Sequence, residues 1–244
     1  MTEAAYRILG NPATADILII GDHASNNVPA GLYLGLPAEA LVDHIAWDIG
    51  VAAVAELIVG QPKFAAFLGN YSRLVVDMNR YADEDAAIPL RSDGYEIPGN
   101  CLTAIAREER LSLYYQPYHE RLAQILRDHR PALILSLHSF TPQLKSAEVD
   151  RPWEISVLYN DQERPSKLAI SYLETLELNV GDQLPYSGKL LNATMNRHAE
   201  ANLIPYVGIE MRQDLVADTV GQERFAHILT NMCHFVSERL GMEA

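Results

Sequence analysis

Several apolar runs along this chain stop abruptly at polar side chains capable of chemistry. Residues 17–20 are four apolar positions closed by Gly21 and followed at once by Asp22, His23, Ser25 and Asn26. Runs of four to eight apolar residues bounded by turn formers read as buried strands. Residues 63–68, 72–77, 132–137, 154–159 and 203–209 carry the same pattern. The run at 72–77 leads into Asp77, Asn79 and Arg80, that at 132–137 into His138 and Ser139, and that at 203–209 into Glu210 and Arg212.

Between these runs the apolar spacing switches to the helical period. Residues 49–59 place Val51, Val54, Ala55 and Ile58 on one face, with Asp48 as N-cap. Residues 37–44, 165–177, 194–201 and 219–240 also predict helices. A longer helix over 103–129 should be kinked or split by Pro117. Residues 81–100 and 179–192 lose periodicity. The length of the first points to a functional or mobile loop, and whether it forms a lid is left open by the sequence. Strands alternating with helices predict an α/β fold: a mainly parallel or mixed sheet with helices on both faces, in a single domain over 1–244.

Composition narrows the function. The 48% hydrophobic and 21% charged content is that of an ordinary globular protein. With 19 basic against 32 acidic residues, the net charge of −13 argues against nucleic acid or an anionic membrane as partner. Cys101 and Cys233 form no CxxC, so neither a disulfide framework nor a thiolate metal site is indicated. No run reaches the ~18 apolar residues of a membrane span, and the first residues lack a signal-like apolar stretch. A cytoplasmic location is expected.

The strand ends supply a coherent set of groups. Ligands of open α/β sheets bind beyond the carboxyl ends of the strands. Two histidines from different strands, His23 and His138, with Asp22 or Asn26 as oxygen ligands, are what zinc accepts when one position stays open for water. Glu210 offers a long carboxylate as general base. Asn79 and Arg80 can polarise a carbonyl and clamp a carboxylate, with Arg73, Ser139 and Arg212 as further substrate contacts. The remaining histidines, His119 and His198 among them, fall in helical patterns and are read as packed or solvated.

With these residues in view, the chain resembles the N-formylglutamate amidohydrolase family. The matching pieces are DHASNNVP at 22–29, His44 with Asp48-Ile-Gly50, SRLVVDMNR at 72–80, Tyr115 to His119, SLHSFTP at 136–142 and GIEMR at 208–212. More distantly the pattern is similar to aspartoacylases and zinc carboxypeptidases. The resemblance implies a zinc-dependent exopeptidase-like fold and hydrolysis of the amide of a small anionic N-acyl amino acid. Carried over residue by residue, it makes His23 and His138 zinc ligands, Asn79 and Arg80 substrate contacts, and Glu210 the base. Asn26 stands where the distant group has a ligand glutamate, and a neutral amide is a poor zinc ligand. The third ligand therefore stays open between Asp22, Asn26 and Asp48. A peptidase of the carboxypeptidase type, or a binding protein that kept the fold, are the rival readings.

Overall fold

The computed structural model describes residues 4–146 and 150–242. Strand β1 (Tyr6–Leu9) precedes β2 (Ile17–Gly21), helix α1 (Val51–Val59) and β3 (Phe64–Gly69). A small hairpin, β4 (Arg91–Ser92) and β5 (Tyr95–Glu96), leads to α2 (Ala104–Arg110) and α3 (Gln116–Asp128). Then come β6 (Leu133–Phe140), β7 (Ile155–Leu158), α4 (Glu163–Glu174) and β8 (Val180–Asp182). Helix α5 (Ala193–His198), β9 (Tyr206–Arg212) and α6 (Thr219–Gly241) complete the order.

One seven-stranded sheet runs β1-β3-β2-β6-β9-β7-β8. The four central strands β3, β2, β6 and β9 are parallel, with β1 antiparallel on one flank and β7 antiparallel to β9 on the other. Alternate side chains feed two cores. Ile17, Ile19, Leu135, Val207 and Ile209 pack with residues of α1, α4 and α6, whereas Leu18, Ile20, Phe67, Ile134 and Tyr206 pack with α3 and residues 71–78. Burial on both faces is why the strands read as unbroken apolar runs. Truncating a side chain as enclosed as Ile19 should cost ~2–5 kcal/mol.

The expected α/β sheet is present, but several elements differ from their sequence pattern. Residues 72–77 form a turn, because the Ser72 hydroxyl donates to Ala46 O and accepts from Leu74 N. Leu74, Val75 and Val76 consequently all enter one core instead of alternating between two. Residues 37–44 hold only a short 3₁₀ turn, Ala38–Leu41. The 103–129 helix passes through a π-turn at Leu111–Tyr115, immediately before Pro117, whose ring a regular turn would not accommodate. Residues 81–100 carry the β4–β5 hairpin and are tied down: Asn100 donates to Leu74 O and Pro89 O, and Arg107 to Ala82 O and Glu84 O. Two short strands, β1 and β8, carry too little pattern to be read from sequence.

The last central strand is shifted. Leu203 has φ 53° and Pro205 has no N–H to donate, so β9 starts at Tyr206 and runs to Arg212. Glu210 is thus within the strand, in register with His138 of β6 on one side and Ser156 of β7 on the other. Ile209 and Met211 enter the helix-covered core, and alternation turns Glu210 to the opposite face, where His138 also lies.

Candidate active site

Asp22 and His23 leave the end of β2, and a backbone bond from Asp48 N to His23 O (2.9 Å) ties the next loop to that end. Gly50, the N-cap of α1, has φ 87°, and a Cβ there would meet Val216 atoms at 2.6 Å. Only glycine permits this turn. It frees Asp48 from the N-cap role its position suggested and leaves its carboxylate between two imidazoles.

Asp48 Oδ2 stands 2.8 Å from His138 Nδ1 and 3.3 Å from His23 Nδ1. The ligand atoms of His23, Asp48 and His138 all lie within 4.8 Å of one another, and all three residues are buried. The outer nitrogen of each imidazole faces a second carboxylate. His23 Nε2 is 2.7 Å from Asp77 Oδ1, and His138 Nε2 is 3.6 Å from Asp22 Oδ2. Asp22 is 1% exposed; its other oxygen accepts from Tyr118 Oη (2.7 Å) and Thr194 Oγ1 (3.0 Å). Arg73 joins the two loops by donating to Asp48 Oδ1 (3.4 Å) and Asp77 Oδ2 (2.9 Å).

The electrostatics favour positive charge at this point. Burial and Arg73 push His23 down, but Asp77 and Asp48 outweigh them and raise it to about 9. Against the same burial, His23 and His138 hold Asp48 well below the usual carboxylate range, and Arg73 and His23 do so for Asp77. Glu210 goes the other way. Burial raises it to about 7, with Asp48 adding to the rise and His138 and Arg73 opposing it. Its Oε2 is buried with no hydrogen-bond partner among the described residues.

A cleft of 170 Å³ opens on this cluster. Of the residues singled out from sequence, His23, Arg73, Asn79, Arg80, His138, Ser139 and Glu210 line it. Arg80 has Asp77 Oδ2 as its nearest carboxylate oxygen, 4.0 Å away, which leaves its guanidinium open to a ligand. Asn79 Oδ1 is taken by Thr194 N (3.0 Å), so its amide N–H groups are the free part. Ser139 lines the cleft but donates its hydroxyl to Ile49 O (2.8 Å).

Three of the expected site residues lie elsewhere. The Asn26 amide donates to Leu41 O (2.9 Å), a structural bond that turns it away from the cluster. Asp22 lies beneath His138 and addresses its outer nitrogen instead of joining the ligand set. Arg212 pairs with Asp214 through two bonds of 2.8 and 3.2 Å and does not line the cleft. Conversely, the reading from sequence gave Tyr118, Thr194 and Tyr186 no role at the site, and left Asp48 open between helix cap and third metal ligand. The Asp48-Ile-Gly50 spacing was the available signal, since a glycine two residues on lets the chain turn away from the carboxylate.

The donor set fits a metal. Two imidazole nitrogens and one carboxylate oxygen, open to a cleft on one side, are the three-ligand pattern of a catalytic zinc site. Asp77, hydrogen-bonded to His23 Nε2, is the support that fixes tautomer and ring orientation in such sites, whereas Asp22 Oδ2 and His138 Nε2 face each other without a hydrogen bond.

Comparisons with known proteins place the chain in a family. The sequence profile of the N-formylglutamate amidohydrolase family matches residues 15–217. A gene product of Agrobacterium tumefaciens superposes with a TM-score of 0.89 at 31% identity, covering 97% of this chain and 96% of that one. An N-formylglutamate amidohydrolase from Ralstonia eutropha JMP134 shares the fold, with a TM-score of 0.77 at 18% identity over 99% of this chain and 100% of that one. Among curated proteins, none matches. The chain belongs to the N-formylglutamate amidohydrolase family and is a hydrolase acting on amide bonds.

Proposed function

We propose that this chain, acting as one domain, is a zinc-dependent amidohydrolase that removes a formyl or other small acyl group from an acidic N-acyl amino acid. The observation that carries the reading is the His23–Asp48–His138 cluster, which shares one cleft with Glu210 and the open guanidinium of Arg80. Those three residues would hold the zinc, which when bound supplies a Lewis acid and a water acidified to a pKa of about 7.

The remaining work falls to the chain's own residues. Glu210, half-buried with its Oε2 enclosed and unpaired among the described residues, takes the proton of the attacking water and returns it to the leaving amine. Arg80 grips the substrate carboxylate, with the free amide N–H groups of Asn79 beside it. Arg73, bonded to Asp48 and Asp77, fixes these two carboxylates and keeps them ionised. Asp77 orients His23 from behind through a 2.7 Å bond, and Asp22 puts a negative charge near the outer nitrogen of His138. A cytoplasmic setting goes with this reading: Cys101 and Cys233 are both free. No helix among the described residues is long and apolar enough to cross a membrane.

A panel of N-formyl-L-glutamate, N-formyl-L-aspartate, the corresponding acetyl compounds and short peptides, assayed for released acyl acid and amine, tests the proposal. Turnover of the acidic N-acyl amino acids is expected. Cleavage of peptides alone would contradict it. The second reading, a peptidase, draws on one observation: the 170 Å³ cleft adjoins a chamber of 300 Å³ that shares His44, Arg73, Arg80 and Tyr186 with it, room for a longer substrate.

A further inference from the structure

Arg151 is a buried cation with no counter-charge among the described residues. It is 6% exposed, and among the described residues no carboxylate stands within ion-pair distance of it. One guanidinium nitrogen donates to Thr141 O (3.1 Å) and to Tyr186 Oη (3.0 Å), while Nε is buried with no partner. The guanidinium carbon lies 5.1 Å from the centre of the Tyr186 ring. Taking a charge out of water without pairing it is costly. A protein that keeps such a group beside its active cleft has positive potential waiting there for a negative charge.

Tyr186 stands between that cation and the cleft. It belongs to the irregular stretch between β8 and α5, and it lines the wall that also presents His138 and Glu210. Arginine only donates, so the Tyr186 oxygen is the acceptor in their bond. The phenolic hydrogen is therefore directed elsewhere, and no described residue accepts it. A phenol whose oxygen is filled by a charged donor and whose hydrogen has no acceptor in the protein is a hydrogen-bond donor for whatever occupies the cleft.

The neutral amide of a resting substrate has no full charge for such an arrangement to meet. Its carbonyl oxygen gains one when water adds to the carbon, and preorganised donors aimed at that oxygen favour the transition state selectively. An acidic N-acyl amino acid carries two carboxylates, and Arg80 and Asn79 serve one of them; Tyr186 shares its part of the cleft with His138 and Glu210, the groups that the scissile amide must meet. Resting on the amide-hydrolase reading above, we propose that Tyr186 is a further catalytic residue, donating its phenolic hydrogen to the scissile carbonyl oxygen as that oxygen becomes an oxyanion. Arg151 is the positioning residue that holds the phenol and strengthens it as a donor.

The zinc-loaded full chain and its Tyr186→Phe variant, compared on N-formyl-L-glutamate, give the first test. Loss of one oxyanion donor predicts a kcat lower by ~10²-fold, with KM, zinc content and melting temperature close to wild type. Arg151→Met should lower kcat by ~10-fold or more, with part of the loss restored in Arg151→Lys. In the Tyr186→Phe background Arg151→Met should cost little further, because the two act as one unit. Unchanged kcat in Tyr186→Phe, a loss confined to KM, or fully additive losses in the double variant would each overturn the proposal. A second probe separates it from the function itself. N-phosphono-L-glutamate, a tetrahedral mimic with anionic oxygens, should bind Tyr186→Phe ~10-fold or more weakly, and L-glutamate equally well. A wild-type protein that releases neither formate nor acetate from the acidic N-acyl amino acids contradicts the amidohydrolase reading, whereas equal phosphono-glutamate affinity in both proteins contradicts the role of Tyr186.

Discussion

Two histidine pairs in this molecule look alike and behave oppositely. His23 and His138 have ring centres 5.2 Å apart, and so do His119 and His198. All four residues are buried. The first pair shares Asp48 and is backed by Asp77 and Asp22, and both imidazoles are shifted up despite their burial. The second pair has no carboxylate within ion-pair distance among the described residues. His119 Nδ1 meets His198 Nε2 at 2.9 Å, and His119 Nε2 meets Met78 O at 3.1 Å. A carbonyl only accepts, so His119 carries its hydrogen on Nε2 and takes the one from His198 on Nδ1. Burial and Arg197 push His198 down to about 4, and burial with His198 and Arg197 pushes His119 lower than usual as well. The surrounding carboxylates, and neither ring spacing nor burial, decide which pair is built to hold positive charge and which is a neutral strut.

That contrast can be broken in measurable ways. The largest effect is expected where the charged pair meets the reaction: Glu210→Gln should lower kcat by ~10²–10⁴-fold while zinc stays bound, as steady-state kinetics and elemental analysis would show. Retained turnover would remove Glu210 from the mechanism. Next, Asp77→Asn should weaken zinc binding by ~10–100-fold in a competition titration, since it removes the support behind His23. An unchanged affinity would mean that His23 needs no orientation.

The neutral pair should respond only in stability. His198→Ala leaves His119 Nδ1 without a donor and should cost ~1–3 kcal/mol in denaturant unfolding, with zinc content intact. A loss of zinc in this variant would collapse the distinction between the pairs. The pH dependence is the smallest and most specific sign. Unfolded histidines take up protons below a pKa of ~6.5. Folded His198 resists protonation down to about 4. The pair's contribution is therefore complete above pH ~6.5 and is lost as pH falls towards 4. The unfolding free energy should drop by ~1.4 kcal/mol per pH unit for each histidine held neutral. His198→Ala should flatten that slope.

Much of this was legible in the sequence, for identifiable reasons. The central strands announce themselves because both faces are covered, so Ile17 to Ile20 and Leu133 to Leu135 form apolar runs that nothing else would explain. The edge strands β1 and β8 lie outside that constraint and leave no comparable trace. At the site, His23, His138 and Glu210 were visible because each follows or ends such a run. Asp48 was harder: a carboxylate ahead of an amphipathic helix reads as a cap. Only the φ of Gly50 reveals that the cap position lies two residues further on. Asn26 misled in the opposite sense, since sequence proximity to His23 says nothing about Leu41 O, the carbonyl that occupies its amide. Tyr118 reaches the site from helix α3 and Tyr186 from an irregular stretch, both distant in sequence, and such long-range contacts have no local signature.

The central claim is that carboxylates make His23 and His138, and not the equally buried His119 and His198, the metal-holding pair. Elemental analysis of protein purified without chelator and reconstituted with zinc tests it most directly, comparing wild type with His138→Ala and His198→Ala. One tightly held zinc per chain in wild type and His198→Ala, and none in His138→Ala, is the predicted result. Equal zinc in all three, or none in the wild-type chain, would contradict it.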